Sequence, residues 1–334
     1  DTQPETTASS FVYNRIPTKV SRKDFNRYIE PHLHRPKKGP KPKLSLYKIF
    51  NYILYVLHTG MQWEQLKTNR QELHYTNVYK WHNRWSKDGS YQALFAASVI
   101  HLHHTDQLDT SVLHGDGSNT VVKKGQGIGY SGHKHQKGDK ELTIVENHGF
   151  VLGPISIKPV NQPDTIILPE TLTALVDFTR RVGIDLCGAS FTLDAGFDSK
   201  DNKDAIKAHK MKPVIYPNRR NTKTPIAIAR KFRWFARALY RLRYKVERTF
   251  GWQDIYRKRA VSYDRLPEVR QGGRLLAYSM INFRVTFQRL ALTRYEFIAS
   301  LADPQEVCLP TYGVLPVHQP NQAANWRPLL NTPI

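Results

Sequence analysis

The chain has 334 residues, enough to bury a full core and to leave room for two domains. Its formal net charge of +22 argues against a neutral packing module and for a polyanionic partner. The two cysteines, Cys187 and Cys308, form neither a zinc spacing nor a disulfide framework, and the most apolar stretch, Ile49 to Leu57, is too short to span a bilayer. With no secretory signal, the expected location is cytosolic or nucleoid-associated, with no membrane partner.

In chain order, residues 1–45 read as a basic, proline-broken arm. Lys37 and Lys38 lie in its most basic stretch, suited either to solvent or to tracking phosphates. Ser45 is placed to cap a helix from Leu46 to about His58, which Gly60 ends. Thr76 is placed to cap a second, Asn77 to about Trp85, with Val78, Trp81 and Trp85 inward and Asn77, Lys80, Asn83 and Arg84 outward. A third helix runs from Tyr91 to His103. Three short helices with a polar, basic middle one suit a helix-turn-helix-like DNA reader over residues 46–105, or a helical cap with no DNA role. His101, His103, His104 and His114 match no zinc spacing and read as helix-end histidines.

From Leu108 the texture changes. Val112 to Gly115 reads as a strand that turns at Asp116-Gly117. Glu141 to Glu146 and Val151 to Val160 read as two more, joined at Asn147-His148-Gly149. A helix follows from Pro163-Asp164 to about Val182, then a strand from Ala189 to Asp194. Ser199 opens a short helix, Lys212 to Tyr216 is a strand, and a basic loop leads to a run from Arg230 to Gln253. Early antiparallel strands followed by alternating strands and helices imply an α/β fold, a mixed sheet covered by helices. The sequence thus divides into an arm (1–45), a helical region (46–105), a mixed α/β region (106–292) and a tail (293–334).

The Arg230–Gln253 run repeats large residues at helical spacing, and the expectation is one long helix. Phe232, Phe235, Leu239, Leu242, Val246 and Phe250 make one stripe, and Tyr240, Arg243, Tyr244 and Glu247 its neighbour. Glu247 is the only acid in the run, and residues 201–260 hold 18 Lys and Arg against four Asp and Glu. It reads either as a surface ion-pair partner or as a metal-binding acid in a groove for a polyanion. Asp116 and Asp194 end the first and fourth strands of this region. If those strands are neighbours, both carboxylates emerge at one edge, and Glu247 on a crossing helix completes a cluster of three. Bare carboxylates so placed repel unless cations sit between them. Two divalent ions about 3.5 to 4 Å apart would relieve this and suit in-line displacement at phosphorus. All-oxygen ligands favour Mg²⁺, with Mn²⁺ able to substitute. Asp198, four residues past Asp194, reads instead as a helix cap alongside Ser199.

His114-Gly-Asp116-Gly-Ser118, Thr192-Leu-Asp194-Ala-Gly-Phe-Asp-Ser199 and Tyr240-x-x-Arg243-x-x-x-Glu247-Arg-Thr-Phe250 together resemble the DDE transposases of bacterial insertion sequences, in the insertion-sequence-four/five-like group. Ile144-Val-Glu-Asn-His-Gly-Phe150 and the leader Tyr55-Val-Leu-His-Thr-Gly-Met-Gln-Trp63 extend the resemblance over roughly residues 45–290. It implies a ribonuclease H-like catalytic domain with Asp116, Asp194 and Glu247 as its metal-binding triad. It further implies cut-and-paste transposition: binding of terminal inverted repeats, phosphodiester hydrolysis and strand transfer, in a complex that is usually dimeric. Tyr240, Arg243, Lys80, Asn83, Arg84, Lys37 and Lys38 are the expected DNA contacts. One departure stands out. Where the family carries a basic residue seven positions past the glutamate, this chain has Asp254; Lys258, three turns past Glu247 on a continuing helix, is the expected substitute. A catalytically inactive or domesticated DNA-binding relative is the alternative, and a basic RNA-associated structural protein is a third class. The intact three-acid pattern disfavours both.

Overall fold

Seven strands form one mixed sheet in the computed structural model, which describes residues 16–36, 42–132, 134–153, 156–219 and 224–301. The chain divides into a unit ending at Leu290 and a second beginning at Ala291. Of the second, the described part is the end of a helix reaching Leu301; the site lies in the first. The expected contacts Lys37 and Lys38 lie outside the described residues.

Three helices lead the fold: α1 (Leu46–Thr59), α2 (Tyr75–Lys87) and α3 (Ser90–His104). As expected, the Ser45 side chain accepts the backbone N–H of Lys48, and Gly60 ends α1 with φ of 74°, a conformation that a Cβ would strain. The cap of α2 is His74 rather than Thr76. The stretch before α1 corrects the reading of residues 1–45 as an arm throughout. Helical turns over Arg22–His32 bury Phe25 and Ile29, with Ile16, Val20 and Leu33 on either side. These apolar residues recur every four or five positions, which anchors the stretch to α1.

The strands are β1 (Val112–Val122), β2 (Gly129–Ser131), β3 (Gln136–Val145), β4 (Lys158–Pro159), β5 (Ser190–Leu193), β6 (Lys212–Ile215) and β7 (Val261–Ser262). Their order is β2-β3-β1-β5-β6, with β4 on β3 and β7 on β1. β1 runs antiparallel to β3 and parallel to β5, which is parallel to β6. An antiparallel β1–β3 pair continued by parallel crossover strands is the ribonuclease H-like arrangement. Two expectations change. β1 does not turn at Asp116-Gly117, because its pairing with β3 continues unbroken from His114 to Val121. The expected strand Val151–Val160 reduces to an isolated Val145–Val151 bridge and the two residues of β4.

The sheet is covered on both faces. On one lies α4 (Asp164–Arg181), whose Leu168, Leu172 and Leu175 join Leu142 and Ile144 of β3 and Leu113, Phe191 and Leu193 of the neighbouring strands in the core. Gly115 faces this side, where a Cβ would come within 2.7 Å of Leu193 and 2.9 Å of Phe191. The other face meets α9 (Pro267–Leu301). Here Asp139, Glu141 and Thr143, alternate residues of β3, receive Arg270, Arg274 and Tyr278. Arg270 Nε donates to Asp139 Oδ2 at 2.6 Å, Arg274 pairs with both acids, and Arg259 Nη2 donates to Glu141 Oε1 at 2.5 Å. All five side chains are essentially buried, so the core contains a charged network that ties sheet to helix. α5 (Lys200–Ala208) links β5 to β6, capped by Ser199 as expected.

Candidate active site

The site forms on the α9 face of the sheet, at the middle of β1 and just past the end of β5. Parallel register pairs His114 with Thr192, and His114 Nδ1 lies 2.7 Å from Thr192 Oγ1. Side chains alternate along a strand, so two residues on from this pair Asp116 and Asp194 emerge on the same face. The pairing of Asp116 with Thr143 agrees, since Thr143 meets Tyr278 of α9. His114 is buried, which lowers its pKa to about 4 and keeps the imidazole neutral beneath the acids. Each aspartate is held by a backbone N–H: Gly117 N lies 2.8 Å from Asp116 Oδ1, and Gly196 N lies 2.9 Å from Asp194 Oδ1. Burial raises the pKa of Asp116, Arg243 opposes the rise, and the neighbouring charge of Asp194 adds to it.

Glu247 arrives from a different direction. The run expected as one helix is three: α6 (Pro225–Phe232), α7 (Arg237–Arg241) and α8 (Tyr244–Asp254). The first break comes at Ala236, whose ψ of 77° is not helical. The bend folds Phe232, Phe235 and Tyr240 around Tyr216, the residue after β6, with ring centroids 5.2 to 5.5 Å from it. A straight helix would have held Phe232 and Phe235 on one face and Tyr240 on the neighbouring one. The second break makes Arg243 the cap residue of α8. Gly251 does not end this helix, which continues to Asp254.

A turn that follows β3 seats α8. Glu146 is buried and accepts backbone N–H groups from Asp109, His148 and Phe150 at 2.7 to 2.9 Å. Onto this turn α8 sets Lys245, 2.5 Å from Asn147 Oδ1; Arg248, 2.8 Å from the His148 carbonyl; and Thr249, 2.8 Å from the Gly149 carbonyl. The supporting role of Glu146, Lys245 and Thr249 was not singled out from the sequence, although the Ile144–Phe150 motif carries the turn.

Arg243 bridges the two parts of the site. Its Nη2 lies 2.6 Å from Asp116 Oδ2, and its Nη1 lies 3.2 Å from Glu247 Oε1. The arginine side chain is 12% exposed, that of Asp116 22% and that of Glu247 62%. Among the described residues no group of three or more His, Cys, Asp and Glu side chains converges closely enough to hold a metal ion. The donor set nevertheless suits a hard divalent cation, being all carboxylate oxygen, and a guanidinium already stands as the cation between two of its members.

The remaining expected contacts separate. Tyr240 lies beside the acids, in the aromatic cluster; burial raises its pKa. Lys80 and Arg84 are exposed on α2, and Arg84 lies over the Trp81 ring at 4.9 Å. Asn83 does not point freely outward: its side-chain oxygen is buried and unpartnered. Lys258 does not return to the Glu247 face. After Asp254 the chain leaves the helix, and Lys258 is buried on a separate turn, 3.7 Å from Asp264 and over the Trp63 ring. Asp254 is exposed on α8. Asp198 does not cap the next helix; it receives Lys203 and the backbone N–H of Asn218.

Comparison with known proteins gives the family of the chain. Residues 23–95 match the family profile of a transposase of the IS4/5 family, and residues 97–280 match that of the transposase DDE domain. Searching the curated proteins gives no match. Among solved structures, the piggyBac transposase synaptic complex with hairpin DNA aligns at a TM-score of 0.47 and 8% identity, over 87% of this chain and 81% of that one. The Mos1 transposase paired-end complex with left transposon end aligns at 0.25 and 10% identity, over 72% and 87%. The DDE-domain match covers every strand of the sheet and all three acids. On that ground the chain belongs to the DDE-domain transposases, and its N-terminal helices are similar to the IS4/5-family profile.

Proposed function

We propose that this transposase binds the terminal inverted repeats of its element, hydrolyses phosphodiester bonds there and joins the freed 3′-hydroxyl ends to target DNA. The observation that carries this reading is the pair Asp116 and Asp194 on adjoining parallel strands, with Glu247 linked to Asp116 through Arg243. Asp116, Asp194 and Glu247 would hold the metal. A pair of Mg²⁺ ions, with Mn²⁺ able to substitute, would supply activation of the attacking oxygen and stabilisation of the leaving one.

The chain's own residues orient the DNA. Arg243 presents a planar fork that suits a phosphate better than a lysine would. Tyr240, with its neighbours Tyr216 and Phe235, offers an aromatic surface for a displaced base. Residues 46–105 act as the reading region and 106–292 as the catalytic one, with Lys80 and Arg84 of α2 turned to the duplex. Two copies act together on paired ends, as a nucleoid-associated, cytoplasmic protein. Among the described residues no helix is long and apolar enough to cross a membrane.

The experiment is nicking of a supercoiled plasmid that carries the element's ends. The reading expects cleavage with Mg²⁺ or Mn²⁺ and none with chelator, leaving 3′-hydroxyl termini. Tight binding without cleavage in either metal would favour the inactive relative. For the reading helix, Arg84→Ala should lower discrimination between end DNA and random DNA by about tenfold, the value of one lost base contact. Competition binding measures it; an equal loss on both DNAs would demote Arg84 to a phosphate contact.

A further inference from the structure

Arg243 stands where a cation bound by Asp116 and Glu247 would stand. Its two terminal nitrogens contact one oxygen of each carboxylate, at 2.6 and 3.2 Å. The rest of the head group is incompletely satisfied, because Nε is buried and has no hydrogen-bond partner. A guanidinium and a divalent ion need the same carboxylate oxygens and carry the same sign of charge. They cannot share both acids at close range without strong repulsion. An incoming phosphate, by contrast, can accept two parallel N–H bonds from the fork.

We propose that Arg243 is an internal placeholder for the metal. In the DNA-free protein it neutralises Asp116 and draws Glu247 toward it, and so weakens metal binding. When a backbone phosphate enters, Arg243 transfers to it and releases both carboxylates. Metal loading is thereby coupled to DNA, and the protein free of DNA is held in an unloaded state. This coupling rests on the reading of the three acids as metal ligands. Position favours it over a plain surface ion pair: the arginine side chain is largely buried, and an exposed i,i+4 pair with Glu247 would not need Asp116.

The test is Mn²⁺ binding to the full chain, read from the free-ion electron paramagnetic resonance signal, with no turnover involved. Arg243→Gln should bind Mn²⁺ at least about tenfold more tightly than wild type. Arg241→Gln removes the same charge from an exposed position two residues earlier and should change affinity by less than about threefold. With an equal amount of a random duplex added to both proteins, the gap between wild type and Arg243→Gln should narrow. Equal affinities in Arg243→Gln and Arg241→Gln would overturn the placeholder. Adding Asp116→Asn to Arg243→Gln separates the two possible failures. If that change leaves Mn²⁺ affinity unaltered, the ligand assignment itself is wrong. If it abolishes binding while Arg243→Gln shows no gain, the assignment stands and the placeholder falls. Thermal midpoints of all variants identify any loss of folded protein.

Discussion

Asp116→Asn, Asp194→Asn and Glu247→Gln are each expected to lower cleavage of end-bearing DNA by more than about a hundredfold, since removing even an outer partner of a metal ligand costs about 10- to 100-fold. Binding of the ends should stay near the wild-type level. Each change removes a negative charge from a surface that attracts phosphate, so loss of activity cannot be ascribed to weaker attraction. The three positions are also unequal structurally. Glu247 is exposed on α8, and Glu247→Gln should leave the thermal midpoint unchanged. Asp116 is paired with Arg243 and partly buried, so Asp116→Asn strands a cation and should shift the midpoint slightly. Substantial cleavage by Asp194→Asn in single-turnover conditions would remove that residue from the assignment.

The second large effect concerns stability. Asp139 accepts Arg270 and Arg274 with all three side chains buried. Asp139→Asn leaves two guanidinium groups facing a neutral amide, and breaking a buried pair costs about 3 to 5 kcal/mol because the surviving charge cannot be hydrated. The exposed pair Lys158–Glu170, at 2.6 Å, provides the contrast. Glu170→Gln should cost about 1 kcal/mol or less, because water screens the pair and the side chains regain freedom. Urea midpoints of the two variants measure the difference. Equal shifts would mean that the network under α9 is hydrated and that the helix is held to the sheet by apolar contacts alone.

The buried network also explains what was hardest to read in the sequence. Arg259, Arg270, Arg274 and Arg284 look like a solvated basic surface, yet all four are buried. Arg284 lies between the Phe150 and Trp252 rings, and burial lowers its pKa to about 9, aided by Arg248. With so many charges turned inward, Pro267–Leu301 shows no amphipathic stripe, and its role as the helix under the sheet is not visible from periodicity. The same trap caught Lys258, whose charge suggested DNA and whose side chain is buried beside Asp264.

Elements whose signals are local were legible. Ser45, Gly60 and Ser199 announce helix ends, because a cap is a contact between near neighbours in sequence. Leu168, Leu172, Leu175 and Phe178 recur at helical spacing and announce the helix Asp164–Arg181, and all four are buried in the core. Tertiary overrides were not legible. Phe232, Phe235 and Tyr240 keep helical spacing, yet the chain bends between them so that they close around Tyr216, which lies far back in sequence. The aspartates were readable because the parity of the neighbouring strands β1 and β5 puts them on one face, although the expected strand end at Asp116 proved to be mid-strand. Arg243 between Asp116 and Glu247 was expected on the same helix face as Glu247, but its grip on Asp116 depends on the break that makes it a cap.

The most direct measurement of the central claim is anomalous scattering from crystals of the protein bound to its end DNA in Mn²⁺. The account predicts two peaks about 3.5 to 4 Å apart, enclosed by Asp116, Asp194 and Glu247, with Arg243 moved onto a phosphate. Peaks held by other side chains, or none at these three with DNA in the groove, would contradict it.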